Sequence, residues 1–188
     1  MKLKLDLHTH PLEAMRLSEP TLEGVERLVK AVQQAGLDGI GITEHWNYEH
    51  SFRVKEMVED HFDNAILVIP GWEIDSYPHE VVELFLPDGS VWRHLAHPGD
   101  LSQPVECLPL LHGIEVENGG HNWHIPKEQV RRYAEDHDLL LMQNSDAHYL
   151  EKLGTHYNEV ELEELMRRAK NSRSSMTTAQ GVRSINHI

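Results

Sequence analysis

The sequence predicts a single α/β domain with a parallel sheet, either open or closed into a barrel. Two observations carry that prediction. Segments with strand and helix periodicity alternate for most of the 188 residues. Metal-ligating residue types recur just past the ends of the strand-like segments, the face on which α/β barrels build their sites. The length suits one domain with a buried core, and the apolar share of 39% is ordinary for a globular chain.

Taken in order, Leu3–His8 reads as a strand, with Leu3, Leu5 and Leu7 on one face and Asp6, His8 and His10 on the other. Thr21–Ala35 is an amphipathic helix, because Leu22, Val25, Leu28, Val29 and Val32 recur at helical spacing, and Gly36 stops it. Asp38–Thr43 is a short buried strand, and His50–His61 a helix carrying Phe52, Met57 and Val58. Ala65–Glu73 and Glu80–Leu86 are strands. Pro87-Asp88-Gly89-Ser90 turns the latter into Val91–His97. Pro104–Leu111 reads as a short helix, Gly113–Glu117 as a strand, Pro126–His137 as a helix, Leu139–Gln143 as a strand and Val160–Lys170 as a helix. Residues 1–170 form the domain. Asn171–Ile188 is polar and weakly patterned, a closing edge segment or a tail.

Composition removes several classes. The apolar runs Ala65–Pro70 and Leu139–Met142 are far short of a membrane span, and Met1–Asp6 reads as a first strand, not a signal peptide. Cys107 is the single cysteine, so an internal disulfide framework and a thiolate-rich zinc site are excluded. A reducing cytoplasm is the expected compartment. The formal charge of −14 argues against long nucleic-acid duplexes as partners, although bound cations would reverse the field locally. Oligomeric state is not readable.

The 15 histidines are the unusual feature. His8 and His10 end the first strand, His45 the second and Glu73 the third. His97 ends the segment before Pro98, and Asp146 and His148 follow Leu139–Gln143. Residues i and i+2 on a strand point the same way, so His8 with His10, and Asp146 with His148, can each grip one ion. Imidazole and carboxylate suit zinc, manganese and iron. His50, His61, His137 and His187 read as solvated, and His94 as a neighbour of His97 on the opposite strand face. The four tryptophans could wall a pocket, although packing is the default for an aromatic.

Asp6-Leu7-His8-Thr9-His10, Gly41-Ile42-Thr43-Glu44-His45, Gly71-Trp72-Glu73, Ala96-His97-Pro98 and Ser145-Asp146-Ala147-His148 together resemble the successive motifs of the PHP (polymerase and histidinol phosphatase) family. The resemblance runs from about Leu3 to Lys170. It implies a distorted (β/α)7 TIM-like barrel with three divalent ions, zinc, manganese or iron. Family members are mostly phosphoesterases acting on histidinol phosphate, nucleotides or nucleic-acid ends. The implied activity is hydrolysis of a small phosphate ester by metal-activated water.

Carried over residue by residue, the resemblance suggests three sub-sites. His8, His10, Glu73 and Asp146 hold one metal. Glu73 bridges to a second, shared with His97 and one upstream residue, either His79 or Glu83. His45 and His148 hold the third with an early ligand, Glu19 or its competitor Glu13. Glu73, Asp146 and His148 are the candidates for direct catalytic roles. Glu44 stands where the family usually has Asp and is expected to orient an imidazole. His121, His124 and His156, in loops after strand ends, are candidate substrate contacts. Arg16 and Arg93 are candidate phosphate clamps, because guanidinium binds phosphate bidentately. Two rival readings remain. An amidohydrolase-type C–N hydrolase would want a middle-strand lysine and a lone late aspartate. A non-catalytic metal-binding module would keep the ligands without turnover.

Overall fold

The computed structural model describes residues 1–76, 78–102, 105 and 110–176, with side chains through 170. The eight strands are β1 (Leu3–Thr9), β2 (Gly39–Ile42), β3 (Leu67–Ser76), β4 (His79–Phe85), β5 (Val91–Ala96), β6 (Gly113–Asn118), β7 (Leu140–Asn144) and β8 (Asn158–Val160). They form one sheet in the order β7-β6-β5-β4-β3-β2-β1-β8. Five α-helices among the described residues accompany them: α1 (Pro11–Met15), α2 (Leu22–Gln34), α3 (Tyr48–His61), α4 (Lys127–Asp136) and α5 (Leu162–Met176). The helix read over Pro104–Leu111 lies largely outside the described residues, as do Cys107, His187 and the segment 177–188. No helix among the described residues is long and apolar enough to cross a membrane.

β1 through β3 and β5 through β7 pair in parallel, while β4 runs antiparallel to both neighbours. The alternation of strands and helices does not reveal this reversal. Its cause is local: no helix separates β3 from β4, and the turn through Gly89 (φ 78°) returns β4 into β5. Tight connections of that kind join antiparallel strands, whereas parallel ones need a crossover. The two ends of the sheet then approach each other. Thr9 bridges Ala147, the Asp146 amide donates to the His8 carbonyl at 2.9 Å, and the His10 amide donates to the Ala147 carbonyl at 3.1 Å. The result is a nearly closed barrel. The short β8 lies antiparallel on the far edge of β1.

The barrel interior is packed, not open. Leu5, Leu7, Ile69, Leu84, Trp92 and Met142 fill its lower half, and Leu165 and Ala169 of α5 cover that end. The interior is narrow where Leu84 crosses. A Cβ on Gly71 would sit 2.3 Å from the Glu83 carbonyl oxygen and 2.7 Å from Leu84 Cδ2, so only glycine fits there. Outside, Val25, Leu28 and Val32 of α2 and Val54 and Val58 of α3 cover Ile40, Ile42 and Val68. Thr21 caps α2 by accepting the Gly24 amide at 3.1 Å, worth about 1 kcal/mol. Val130 and Ala134 of α4 cover Ile114 and Val116 on the other flank.

A β-bulge in β1 aims the chemistry. Leu5 pairs Gly39 and Asp6 pairs Ile40, but Thr9 pairs Ile42, so β1 holds one extra residue between them. Strict alternation predicts His8 opposite Leu7. The bulge instead turns both inward, Leu7 onto the core and His8 onto Glu73. Asp6 points outward, accepting the Ser145 and Gly154 amides at 3.0 Å each.

Candidate metal centre

The C-terminal ends of β1, β2, β3, β5, β6 and β7 meet at one rim, and the reversed β4 brings its N-terminal end there. His8 and His10 come from β1, His45 from the end of β2, Glu73 from β3 and Glu80 from the start of β4. His97 follows β5, and Asp146 and His148 follow β7. Asp146 holds a left-handed backbone conformation (φ 52°), pinned by the Ser145 amide on Asp6 and its own amide on His8.

His8 Nε2 lies 3.1 Å from Glu73 Oε2 and 3.6 Å from Asp146 Oδ1. His10 Nε2 lies 3.4 Å and 3.2 Å from the same two atoms. Yet His8 Nε2, both ring nitrogens of His10 and Asp146 Oδ1 are buried with no hydrogen-bond partner among the described residues. Buried polar atoms are rarely left so. Donors that crowd one point without hydrogen-bond geometry are what the ligands of a cation look like, so these four residues fit a divalent ion.

Further groups share members with the first. His10, Glu13, His45 and His148 place one donor atom each within 4.8 Å of one another. The His45 and His148 rings stack at 4.5 Å and 4.3 Å on the His10 ring. On the other side, His97 Nε2 is 3.0 Å from Glu73 Oε1 and 3.3 Å from Glu80 Oε2. His121 Nε2 reaches Asp146 Oδ2 at 3.5 Å beside the same histidine. Glu73 therefore offers Oε2 to one group and Oε1 to the next, the position of a bridging carboxylate.

A buried layer behind these groups orients them. Glu115 is fully buried and accepts four hydrogen bonds: His8 Nδ1 at 2.9 Å, Asn144 Nδ2 at 2.8 Å, the His97 amide at 2.8 Å and Asn118 Nδ2 at 2.9 Å. Its grip on Nδ1 leaves His8 Nε2 to face the centre. His94 belongs to this layer, 3.4 Å from Glu115. Burial alone would raise Glu115, but His8 and His94 outweigh it and hold the carboxyl well below its ordinary value. Burial likewise opposes charge on His10, and the Asp146 and Glu73 carboxylates overcome it, lifting the ring to about 9.

Several sequence expectations need correction. Glu19 is exposed and pairs with Arg53 at 3.5 Å, outside every donor group, while Glu13 sits inside one. Glu13 is placed by Glu44, which among the described residues hydrogen-bonds to backbone amides and not to an imidazole. Its carboxylate accepts the Leu12 amide at 2.6 Å and the Glu13 amide at 3.3 Å at the start of α1, and burial pushes it up to about 7. His79 is buried but its Nε2 meets no donor group, and Glu83 pairs with Arg93 at 2.6 Å away from the centre. That pair also removes Arg93 as a phosphate clamp. The upstream position beside Glu73 and His97 is taken by Glu80, because the hairpin reversal puts the first residues of β4 at the rim. Arg16 is exposed. His121 and His124 stand at the rim, the latter with Nε2 2.8 Å from the His97 carbonyl. Among the described residues His156 reaches Asn122, at 3.4 Å. Sequence reasoning missed Glu80 and Glu115. A carboxylate between Ile114 and Val116 in a buried strand was a usable signal for the second.

A family model described as PHP-associated matches residues 124–173. Together with the barrel and the five motifs at its rim, this match makes the chain similar to the PHP family. Three solved structures share this fold. A Bifidobacterium adolescentis protein assigned as a metal-dependent phosphoesterase is 14% identical with a TM-score of 0.65, over 88% of this chain and 96% of its own. PsfC from Pseudomonas syringae is 15% identical with a TM-score of 0.61, over 93% and 99%. An amidohydrolase from Chromobacterium violaceum, solved with sulfate and no metal, is 13% identical with a TM-score of 0.60, over 87% and 96%. No protein of curated function matches by sequence.

Proposed function

We propose that this chain is a metal-dependent phosphoesterase of the PHP type that hydrolyses a small phosphate ester at a centre of up to three divalent ions. The observation that carries the reading is the shared donor set. Glu73 stands between two groups and His10 between two, so cations held there lie close enough to act on one phosphoryl group. His8, His10, Glu73 and Asp146 would hold one ion, His10, Glu13, His45 and His148 another, and Glu73, Glu80 and His97 a third. Such ions supply Lewis acidity and ease the loss of a proton from water.

The chain's own residues set the conditions for that chemistry. Glu13, Glu73, Glu80 and Asp146 bring carboxylates to one rim, where the close ion-pair partners among the described residues are imidazoles. Their field repels a phosphate dianion, so substrate binding should depend wholly on cation loading. His148 is 42% exposed at the mouth, within 3.6 Å of Glu13, and would complete that donor group from the open side. The depth of His8 and Asp146 excludes water from the far side of the centre.

The C–N hydrolase reading is weaker, because Glu73 occupies the middle-strand position and Asp146 is followed by a second ligand at His148. The deciding experiment measures bound metal and hydrolysis of an aryl phosphate in parallel. Expected is turnover that disappears in His8→Ala and Asp146→Ala together with the metal. Stoichiometric metal without turnover on any phosphate ester would leave the non-catalytic module as the reading.

A further inference from the structure

A cavity of about 230 Å³ opens beside the centre, between the start of β4 and the end of β5. Pro78, Ala96 and Pro98 form its apolar side, and His79, Glu80, His97 and His124 its polar side. His97 is thus shared. One edge of its ring faces the donor groups, and the residue also walls the cavity. The volume is below the range for drug-sized ligands and suits one small group.

His79 supplies the independent sign that something polar enters. It is 8% exposed, and its Nε2 is buried with no partner among the described residues. A ring nitrogen in that state is costly unless a ligand or a water completes it. The neighbouring histidine is not free in the same way, since His124 Nε2 is held by the His97 carbonyl. Trp123 packs edge-on against His124, with ring centroids 4.7 Å apart, and is 83% exposed. An indole left so open, packed on one of the residues that line the cavity, offers an unused face for stacking.

We infer that this cavity is the leaving-group subsite, shaped for a small ring-bearing alcohol whose polar edge hydrogen-bonds His79 Nε2. The inference rests on the phosphoesterase reading, since it places the phosphoryl group at the cations and the alcohol beyond His97. His79 is then a specificity residue and not a metal ligand. The substrate class is a phosphate ester of a compact aryl or heteroaryl alcohol with a hydrogen-bonding edge, in preference to a short alkyl ester.

The test uses non-hydrolysable probes on the full chain loaded with Mn²⁺, read by calorimetry so that turnover is not needed. Phenylphosphonate should bind about tenfold to a hundredfold more tightly than methylphosphonate, from burial of the ring. Gly99→Leu should abolish that preference and leave methylphosphonate within about threefold, because a Cβ on Gly99 meets only His124 Cδ2, at 3.9 Å, and the side chain can grow into the cavity. His79→Leu should remove the extra affinity of 3-hydroxyphenylphosphonate over phenylphosphonate. Equal binding of the phenyl and methyl probes, or a ring preference that survives both variants, would overturn the subsite while leaving the phosphoesterase reading intact. If neither probe binds the loaded protein, the phosphoryl site itself is wrong and the subsite falls with it.

Discussion

Replacing Glu115 with glutamine tests whether the buried layer organises the centre. The change is nearly isosteric, so packing is preserved and hydrogen bonding alone is altered. Oε1 of Glu115 accepts from His8 Nδ1 and Asn144, and Oε2 from the His97 amide and Asn118. A glutamine must present an NH₂ group at one of the two positions. Either way, two buried donors face a donor and lose their acceptor. At about 1.5 kcal/mol per orphaned donor, the loss is about 3 kcal/mol. In a domain of this size that lowers Tm by roughly 6–12 °C. Because His8 loses the partner that fixes its tautomer, metal affinity should also fall by about 10–100-fold. Urea unfolding of the metal-free chain and a chelator competition measure the two effects separately. A Glu115→Gln chain within about 1 kcal/mol of the parent that keeps its metal affinity would refute the reasoning.

Glu13→Ala should cost one bound ion by metal analysis, whereas Glu19→Ala should change neither metal content nor stability beyond about 0.5 kcal/mol, since its pair with Arg53 is on the surface. Gly71→Ala should destabilise by about 2 kcal/mol or more in urea unfolding, because the added Cβ meets the Glu83 carbonyl at 2.3 Å. His112 is a built-in acid sensitivity: burial first and the Arg93 cation second push its ring down to about 4, and its Nδ1 accepts the Arg93 amide at 2.9 Å. The folded state then binds fewer protons than the unfolded one between about pH 6.5 and 4. Stability is fully present above that window and declines as pH falls through it, by about 3 kcal/mol from this one group. His112→Asn, which keeps an acceptor for the amide, should flatten that part of a pH–stability curve, and an unchanged slope would contradict the assignment.

The contrast between Glu13 and Glu19 shows where sequence reading stops. Both carboxylates precede the first long helix, and both have a local rationale there. What separates them is Glu44, more than thirty residues away, whose carboxylate gathers the first amides of α1 and turns Glu13 toward His148. The upstream position beside His97 failed for a related reason. Counting along the chain pointed to His79 or Glu83. The antiparallel return of β4 put Glu80 against His97 instead and sent Glu83 to Arg93. His8 reached the centre only because a bulge overrode the strand alternation that predicted its face.

Local chemistry was legible without coordinates. Apolar spacing marked most strands and helices, and the closely spaced His-x-His and Asp-x-His pairs stood out, although a bulge in β1 and the left-handed Asp146, rather than strand alternation, aim them. Their placement at successive strand ends told of a common rim. Long-range geometry was not legible. Which carboxylate joins which imidazole, the reversal of one strand, the narrowing that demands Gly71 and the four-fold grip of Glu115 all depend on atoms brought together across the closed barrel. No spacing along a chain encodes a contact whose two halves meet only after folding.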